Sequence, residues 1–504
     1  MEPARRSHDP LAVALANASL LNVGYLMLGR WRAAVRAGGV TLALILILAL
    51  SVRSVWLEIV VLLWWLALIA HGWYLAGGRE GRTDRGQRLV ALGITIPVLV
   101  AVGFLRFDAA RIEGSAAQAH REGDCSRATS IMNELRPRHL LADAPLTVRV
   151  ETAAEACAVL LRAGRQSDRL EAAETLRVYA ARPGALWKGA TGRRADLILA
   201  QAADELDTAL TGDTEAMKTG FGHLSAVLKG FPGQEGKVTQ VLNGFLGGLP
   251  LQNPCATREI TDWLRQRPAG GDVLDRAGDV VPRLAPAAIV GCGGQFMAAK
   301  EWRQAREQYR ELLAQYPRHE LAGKAEQGVR QAGQEIELAN VRGLLKTPAG
   351  GGQPAYCSKP AVYSGADPYK GRGPHRAMLF GQKDHKKQLP GSWLAKDPAD
   401  ATLVICAGES KFGSRVASCP YRAERAPHRV SSVSFRKEKV PVRAYELRTG
   451  KRVGATSIQI SGKTCPRRLP YFIFGDVDTG PPSKVYVDSA KKDVRAAYSG
   501  LIKP

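Results

Sequence analysis

Cysteine is absent from the first 124 residues of this 504-residue chain, although eight cysteines follow. Thiols stay reduced in the cytosol and pair in oxidising compartments, so this distribution indicates that the cysteine-bearing part lies outside the cytoplasm. No Cys-x-x-Cys pair and no Cys/His cluster with zinc spacing occurs, which argues against a structural metal site. The candidate disulfide residues are Cys125, Cys157, Cys255, Cys292, Cys357, Cys406, Cys419 and Cys465.

Long apolar runs are absent after residue 106, whereas residues 1–106 are rich in them. Three runs have nearly the length that a bilayer core requires, namely Gly38 to Val52, Val55 to Ala76 and Leu89 to Leu105. A fourth run, Leu11 to Leu28, contains polar residues and is a full span, a re-entrant hairpin or an interfacial helix. Residues 1–106 are therefore predicted to be an α-helical membrane region in contact with the lipid bilayer.

The arginines between these runs predict an orientation. Residues 30–37 hold three arginines and residues 79–88 hold four, whereas the opposite ends of the runs hold one or two. Positive residues are retained on the cytoplasmic side, so both arginine-rich loops are expected to be cytoplasmic. The chain is thus predicted to be a multi-pass protein of the cell membrane with an extracytoplasmic C-terminal region.

Residues 107–345 have the composition and the apolar spacing of amphipathic helices. The stretch from Ile289 to Ala322 matches the 34-residue pattern of a tetratricopeptide repeat (TPR), in which two antiparallel helices pack through small and aromatic residues. One repeat cannot bury its own apolar face, so we expect a TPR-like solenoid of stacked helix pairs. The predicted packing residues are Gly293, Phe296, Trp302, Ala305, Tyr309, Leu312 and Pro317.

Residues 346–356 form a Gly- and Pro-rich linker, and residues 357–504 are predicted to be a small α+β domain with an antiparallel sheet. The expected strands are Thr402 to Ala407, Arg429 to Phe435, Val440 to Leu447 and Val453 to Ile460. The last two flank Arg448-Thr-Gly-Lys451, which is typical of a hairpin turn. Val485 to Val487 is a further candidate strand before a helix from about Ser489 to Leu501.

The cysteine positions allow several pairings. Cys125 with Cys157, and Cys255 with Cys292, are interpreted as ties between neighbouring helical hairpins. Four cysteines in the C-terminal domain allow three connectivities. We favour Cys406 with Cys419, because one lies at a strand end and the other just before the next apparent strand, which leaves Cys357 with Cys465.

Two segments carry a resemblance. The first is Asn22-Val-Gly-Tyr-Leu-Met-Leu-Gly-Arg-Trp31, and the second runs from Pro390-Gly-Ser-Trp393 to Asp478-Thr-Gly-Pro-Pro482. Together with the TPR-like stretch, they resemble a group of uncharacterised actinobacterial multi-span membrane proteins with a TPR-like ectodomain. The resemblance spans most of the chain and implies an architecture, but it implies no chemistry.

No hydrolase elbow, phosphate loop, zinc-protease helix or dinucleotide fingerprint occurs in the sequence, so we predict no catalytic residues and no cofactor. The best remaining cluster for an unrecognised extracytoplasmic enzyme is His375, Asp384, His385 and Glu409. The favoured function is a membrane-anchored scaffold that binds an envelope protein through its helical array.

Positive charge supports a second function. Residues 346–504 contain 29 Lys and Arg against 12 Asp and Glu, a difference of 17. An outward-facing domain is an improbable nucleic-acid partner, so anionic wall polymer or lipid headgroups are the expected polyanions. The candidate polyanion-binding residues, which a folded domain either gathers on one face or spreads over several, are Lys383, Lys386, Lys387, Arg436, Lys437, Lys439, Arg467 and Arg468.

Overall fold

The structure is a computed structural model that describes residues 8–50, 55–78, 83–136, 139, 144–349, 352–425, 428–473, 475 and 477–503. The chain divides into two compact units, residues 1–249 with 268–277, and residues 250–267 with 278–504. Helices make up most of the chain, and a six-stranded sheet lies in the C-terminal part. The structure confirms the predicted order of fold classes, with apolar helices first, further helices next and a largely antiparallel sheet in the C-terminal part.

Three helices of the first unit are long and apolar enough to cross a membrane. They are α3 (Trp31–Leu50), α4 (Val55–Leu75) and α5 (Arg85–Arg121), and apart from Ala76 they contain the described parts of the three predicted spans. Val52 and Arg53, together with Arg79 and Arg82 of the second arginine-rich loop, lie outside the described residues.

The run from Leu11 to Leu28 forms two short helices, α1 (Pro10–Ala18) and α2 (Val23–Met27). Leu20 and Asn22 between them have φ angles of 65° and 55°, a left-handed conformation that no α-helix contains. With nine residues, α1 is about 14 Å long and cannot cross a bilayer core of about 30 Å. The alternative of one full span is therefore wrong.

Helix α5 continues beyond the apolar stretch. Its 37 residues make it about 55 Å long, nearly twice the thickness of the bilayer core. The described part of the first unit then continues with α6 (Cys125–Met132), α7 (Ala144–Arg165), α8 (Arg169–Ala180), α9 (Ala190–Ala209), α10 (Thr214–Gly230) and α11 (Glu235–Gly247). Helices α6, α8 and α10 begin where they do because Asp124, Asp168 and Asp213 accept hydrogen bonds from their first free backbone N–H groups.

The second unit begins with α12 (Pro254–Gln266), α13 (Val281–Ala298), α14 (Trp302–Gln315) and α15 (Ala322–Leu344). Its sheet consists of β1 (Ala377–Phe380), β2 (Leu403–Ala407), β3 (Lys411–Arg422), β4 (Val430–Glu446), β5 (Arg452–Ile460) and β6 (Lys484–Tyr486). A short helix, α16 (Lys383–Gln388), connects β1 to the parallel strand β2, and α17 (Lys491–Ile502) follows β6.

Strand β4 is the centre of the sheet. It pairs antiparallel with β2, β3 and β5, and parallel with β6. The two predicted strands Arg429 to Phe435 and Val440 to Leu447 are thus parts of one strand. The predicted hairpin between β4 and β5 is confirmed, with Gly450 at a φ of 66°.

Even-numbered residues of β4 lie on one side of the sheet, the even side, and odd-numbered residues lie on the other, the odd side. On the even side, Val440, Val442 and Ala444 belong to a core with Val494 and Tyr498 of α17. The odd side contributes to two cores. One contains Tyr445 of β4 with Val341, Leu345 and Tyr356, and the other contains Val433 and Phe435 of β4 with Val487.

All four disulfides lie after the apolar stretches. The Cys125–Cys157 and Cys255–Cys292 bonds occur as predicted. In the C-terminal domain the favoured pairing is wrong, because Cys357 bonds to Cys406 and Cys419 bonds to Cys465. Cys406 lies on the odd-side core that also contains Cys357, whereas Cys419 belongs to β3, against the chain segment that carries Cys465.

Candidate functional site

A cavity of about 420 Å³ lies in the helical part of the first unit. Its wall is apolar where Leu160, Leu176 and Leu197 line it, and Trp187 contributes a half-buried ring. Four longer polar side chains also line the cavity: Arg165, Gln166, Arg169 and Arg193. The cavity therefore combines an apolar surface with guanidinium groups.

The arginines of the cavity differ in their partners. Arg169 forms an ion pair with Asp204 and also donates to the carbonyl oxygen of Ala200. Within the described ranges, neither Arg165 nor Arg193 pairs with a carboxylate, and both are exposed. No carboxylate lines the cavity among the described residues, so two positive charges remain available to an incoming anion.

A buried polar pair joins α5 to α8, and α8 also contributes to the lining of this cavity. His120 at the end of α5 is fully buried, and its Nε2 lies 2.8 Å from the Tyr179 hydroxyl in α8. The backbone N–H of Trp187 donates to the same hydroxyl at 2.9 Å. Burial raises the pKa of Tyr179, so its hydroxyl stays neutral and holds α5, α8 and the Trp187 segment together.

The same histidine lies against a disulfide. One ring nitrogen of His120 and the sulfur atoms of Cys125 and Cys157 lie within 4.8 Å of one another. His120 Nδ1 has no hydrogen-bond partner in the part of the chain that is described. Two thiolates and an imidazole are a donor set for a thiophilic cation, but in this structure the two sulfur atoms bond to each other. The pair Cys125–Cys157 thus acts as a covalent tie between α6 and α7.

The predicted TPR packing residues lie on the hairpin of α13 and α14. Ala305 and Leu312 are fully buried, and Tyr309 is 7% exposed. A Cβ atom on Gly293 would lie 2.8 Å from the Tyr309 ring, and one on Gly328 of α15 would lie 2.5 Å from it. Glycine at these two positions lets three helices approach the same ring. Phe296 and Trp302 are half-buried, and Pro317 is exposed just after the end of α14.

The eight candidate polyanion-binding residues are spread over several faces. Lys383, Lys386 and Lys387 are exposed on α16. Lys437 and Lys439 belong to the odd side of β4, whereas Arg436 belongs to the even side, where it donates to the carbonyl oxygen of Gly413.

Arg467 and Arg468 lie in a separate segment. The Tyr421 hydroxyl donates to the carbonyl oxygen of Pro466, which holds this segment beside β3 opposite Ser431. Ser431 is seven residues from Glu438, which lies between the candidates Lys437 and Lys439 on β4, and seven residues span about 23 Å at the rise of a strand. The predicted set is therefore not one patch.

The four residues of the possible enzyme cluster have separate surroundings. His385 is buried, with Nδ1 3.2 Å from the Tyr498 hydroxyl and Nε2 3.3 Å from Glu438 Oε2. His375 Nε2 instead lies 3.1 Å from the carbonyl oxygen of Gly371. Asp384 pairs with Lys387, and Glu409 is exposed. The ring nitrogens of His385 thus contact Tyr498 and Glu438, neither of which belongs to the predicted cluster.

Sequence reasoning missed the cavity and the His120–Tyr179 pair. Both depend on residues that are far apart in the chain and carry no local motif; His120 and Tyr179 are separated by 59 positions. The only local signal is the Cys125–Cys157 spacing, which predicted that these helices are tied together. No family model, no curated protein and no solved structure matches this chain.

Proposed function

We propose that this chain is a multi-pass membrane protein whose region after α5 lies outside the cytoplasm, where its helical array binds a partner protein of the cell envelope. Three observations support the placement. The apolar helices α3, α4 and α5 precede every cysteine, and all eight cysteines form disulfides. In the sequence, arginines are more numerous at the ends of the apolar stretches that are predicted to be cytoplasmic.

An impermeant maleimide tests this placement in intact protoplasts. After mild reduction, Cys465 should react, because its side chain is exposed and its disulfide lies in the outward-facing region. A cysteine introduced as Thr83→Cys, in the arginine-rich loop before α5, should react only after lysis. Labelling of position 83 in intact protoplasts, or of Cys465 only after lysis, would overturn the orientation.

The helical array is proposed to be TPR-like. Its support is the hairpin of α13 and α14, in which Gly293 and Gly328 approach the Tyr309 ring and Ala305 is fully buried. Stacked helix pairs of this kind present grooves that bind peptide segments of other proteins. Such a groove needs a recognisable chemistry if it is to select a partner.

The cavity of the first unit, which is lined by residues of α6 to α9 rather than by the hairpin of α13 and α14, has such a chemistry and carries the proposal. Its leucine-lined wall accepts an apolar side chain, and Arg165 and Arg193 at its rim lack carboxylate partners among the described residues. An arginine forms its strongest hydrogen bonds with a carboxylate, in a bidentate geometry. The matching partner is therefore a peptide segment that carries an acidic group next to an apolar side chain.

Site-specific photocrosslinking in intact cells tests the cavity. Benzoylphenylalanine replaces Leu197, which lines the cavity, or Leu170, which is 37% exposed on α8 and does not line it. We expect a discrete crosslinked species from position 197 and none from position 170. Its abundance should fall severalfold in the double variant R165E/R193E, because charge reversal repels an acidic segment.

The matched control is R162E/K188E, which reverses two exposed charges that do not line the cavity. This control should leave the crosslinked species unchanged. Equal losses in both double variants would mean that overall charge, rather than the cavity, governs the interaction, and the proposal would then be wrong.

A further inference from the structure

One half of β4 has an uncovered even side. In the register of the sheet, Arg436 lies between Arg415 of β3 and Tyr486 of β6, and Ser434 lies between Ser418 and Lys484. Residues directly opposite each other in neighbouring strands share a side of the sheet. We call this surface the open face and define it by Phe412, Arg415, Ser434, Arg436, Lys484 and Tyr486.

The open face ends where the core begins. Further along the even side of β4, Val440, Val442 and Ala444 are buried beneath α17. Glu438 marks the boundary, and its carboxylate accepts a hydrogen bond from the Ser410 hydroxyl and lies 3.3 Å from His385. Among the residues that the structure describes, this carboxylate forms no ion pair with Arg415, Arg436 or Lys484.

Positive charge is concentrated across the three strands. Arg415 and Arg436 face each other in register, an arrangement of like charges that destabilises a sheet unless an anion lies nearby. Lys484 lies on β6, the next strand to the β4 strand that carries Arg436, and neighbouring strands are about 4.8 Å apart. In the described part of the chain, neither Arg415 nor Lys484 pairs with a carboxylate, and both side chains are exposed.

An aromatic pair adds an apolar element. Phe412 and Tyr486 lie on strands that flank β4 on opposite edges, and their rings stack above it with centroids 4.4 Å apart and planes inclined by 27°. The two residues remain 44% and 40% exposed. Exposed rings beside cations are amphipathic surfaces, and the C–H face of a sugar ring is a suitable partner for them.

Hydroxyl groups complete the surface. Ser418 and Ser432 share a hydrogen bond of 2.9 Å next to the open face, and both are exposed. A surface of hydroxyls, cations and stacked rings is suited to a long polar chain. Its serines and cations outnumber the two rings, which favours a sugar polymer over an acidic lipid surface, where apolar side chains must enter the membrane.

We propose that the open face binds an anionic polysaccharide, with Arg415 and Lys484 contacting its acidic groups and the Phe412–Tyr486 pair contacting its sugar rings. This inference deepens the polyanion-binding function that the charge of the C-terminal region predicts. It requires an extracytoplasmic C-terminal region but is independent of the cavity in the first unit.

Binding is measured with the full chain held in phosphatidylcholine nanodiscs, which shield its apolar helices, and with four probes. Polygalacturonate carries both sugar rings and charge, polyphosphate carries charge alone, dextran carries sugar alone, and phosphatidylglycerol vesicles present a charged lipid surface. We expect the tightest binding to polygalacturonate, weakening steeply with salt because exposed charges are screened over about 8 Å at physiological ionic strength. Equal or tighter binding to vesicles or polyphosphate would overturn the polysaccharide assignment.

Variants locate the binding surface. R415E/K484E should weaken polygalacturonate binding about tenfold or more, because each surface cation contributes strongly to the attraction of an anionic polymer. F412A/Y486A should weaken binding to polygalacturonate severalfold and leave the weaker binding to polyphosphate unchanged. These positions are exposed, so an unchanged thermal midpoint checks that each variant folds.

The matched control is K386E/K387E, which reverses two exposed lysines of α16 outside the open face. It should change polygalacturonate binding little. If this control weakens binding as much as R415E/K484E does, the interaction is a general effect of charge and the open face is not the site. R165E/R193E should bind polygalacturonate normally, which separates this inference from the proposal for the cavity.

Discussion

The two halves of β4 bury opposite sides of the strand. On the even side, Val442 and Ala444 are buried beneath α17, whereas Ser432 is exposed and Ser434 is half-buried. On the odd side, Val433 and Phe435 of the first half are buried, whereas Lys439, Pro441 and Arg443 of the second half are exposed before Tyr445 is buried at its end. The even positions change from serine and arginine to valine and alanine at the point where the cover begins. One strand therefore carries a core sequence and a surface sequence in succession, and the uncovered half is available for binding.

The largest expected effect comes from placing a charge in the covered half. Val442→Asp buries a carboxylate without a partner beneath α17, which should destabilise the sheet by about 3 to 5 kcal/mol. Ser432→Asp makes the same chemical change on the exposed half and should alter the free energy of unfolding by about 0.5 kcal/mol or less. Pulse proteolysis in urea measures both variants. Similar losses at the two positions would contradict the difference between the halves.

A second comparison of a covered and an uncovered position lies in the helices of the second unit. Ala305 of α14 is fully buried, so Ala305→Trp should overpack the hairpin of α13 and α14 at a cost of about 1 to 3 kcal/mol. Lys324 is exposed on α15, and Lys324→Ala should change stability little. Circular dichroism during thermal unfolding measures the difference. Equal stability of the two variants would argue against TPR-like packing.

Residue composition predicted a strand in each half of β4 but did not predict that the two are continuous. Arg429 to Phe435 and Val440 to Leu447 were both correctly expected to be extended, because they are rich in residues that favour strands. The polar run from Arg436 to Lys439 separated the two predicted strands, yet β3 and β5 pair with β4 there and keep it extended. Strand β3 was not expected, because its register shifts between Phe412 and Ala417 break the alternation.

The candidate sites depended on tertiary neighbours that spacing does not encode. Cys406 could be paired only by knowing that β2 contributes to the core containing Cys357, rather than from its closeness in sequence to Cys419. Likewise, the sequence left open whether Arg436 and Lys437 share a face, and the structure separates them because adjacent residues of a strand point to opposite sides of the sheet. The open face follows from the register of three strands, which the sequence leaves undefined.

The smallest expected effect lies where α15 packs against the odd side of the sheet. There, Arg342 of α15 forms two hydrogen bonds with the Asp397 carboxylate, at 2.9 and 3.1 Å. The Arg342 guanidinium holds the pKa of Asp397 below its ordinary value. Both side chains are more than 40% exposed, so water and salt screen the pair and Asp397→Asn should cost less than about 1 kcal/mol at neutral pH.

The pH dependence of this cost gives the test its specificity. A carboxyl group whose pKa is lowered by folding contributes stability above its unfolded pKa of about 3.9, and that contribution is lost as the pH falls through the folded pKa. The thermal midpoint of Asp397→Asn should therefore lie slightly below that of the original chain at pH 7 and approach it at pH 3 or lower. Asp400→Asn is the matched control, since this exposed carboxylate lies three residues away and forms no ion pair within the described ranges. A midpoint difference for Asp397→Asn that persists unchanged at low pH would show that the amide disturbs local packing, and that Arg342 does not help to hold α15 against the sheet through charge.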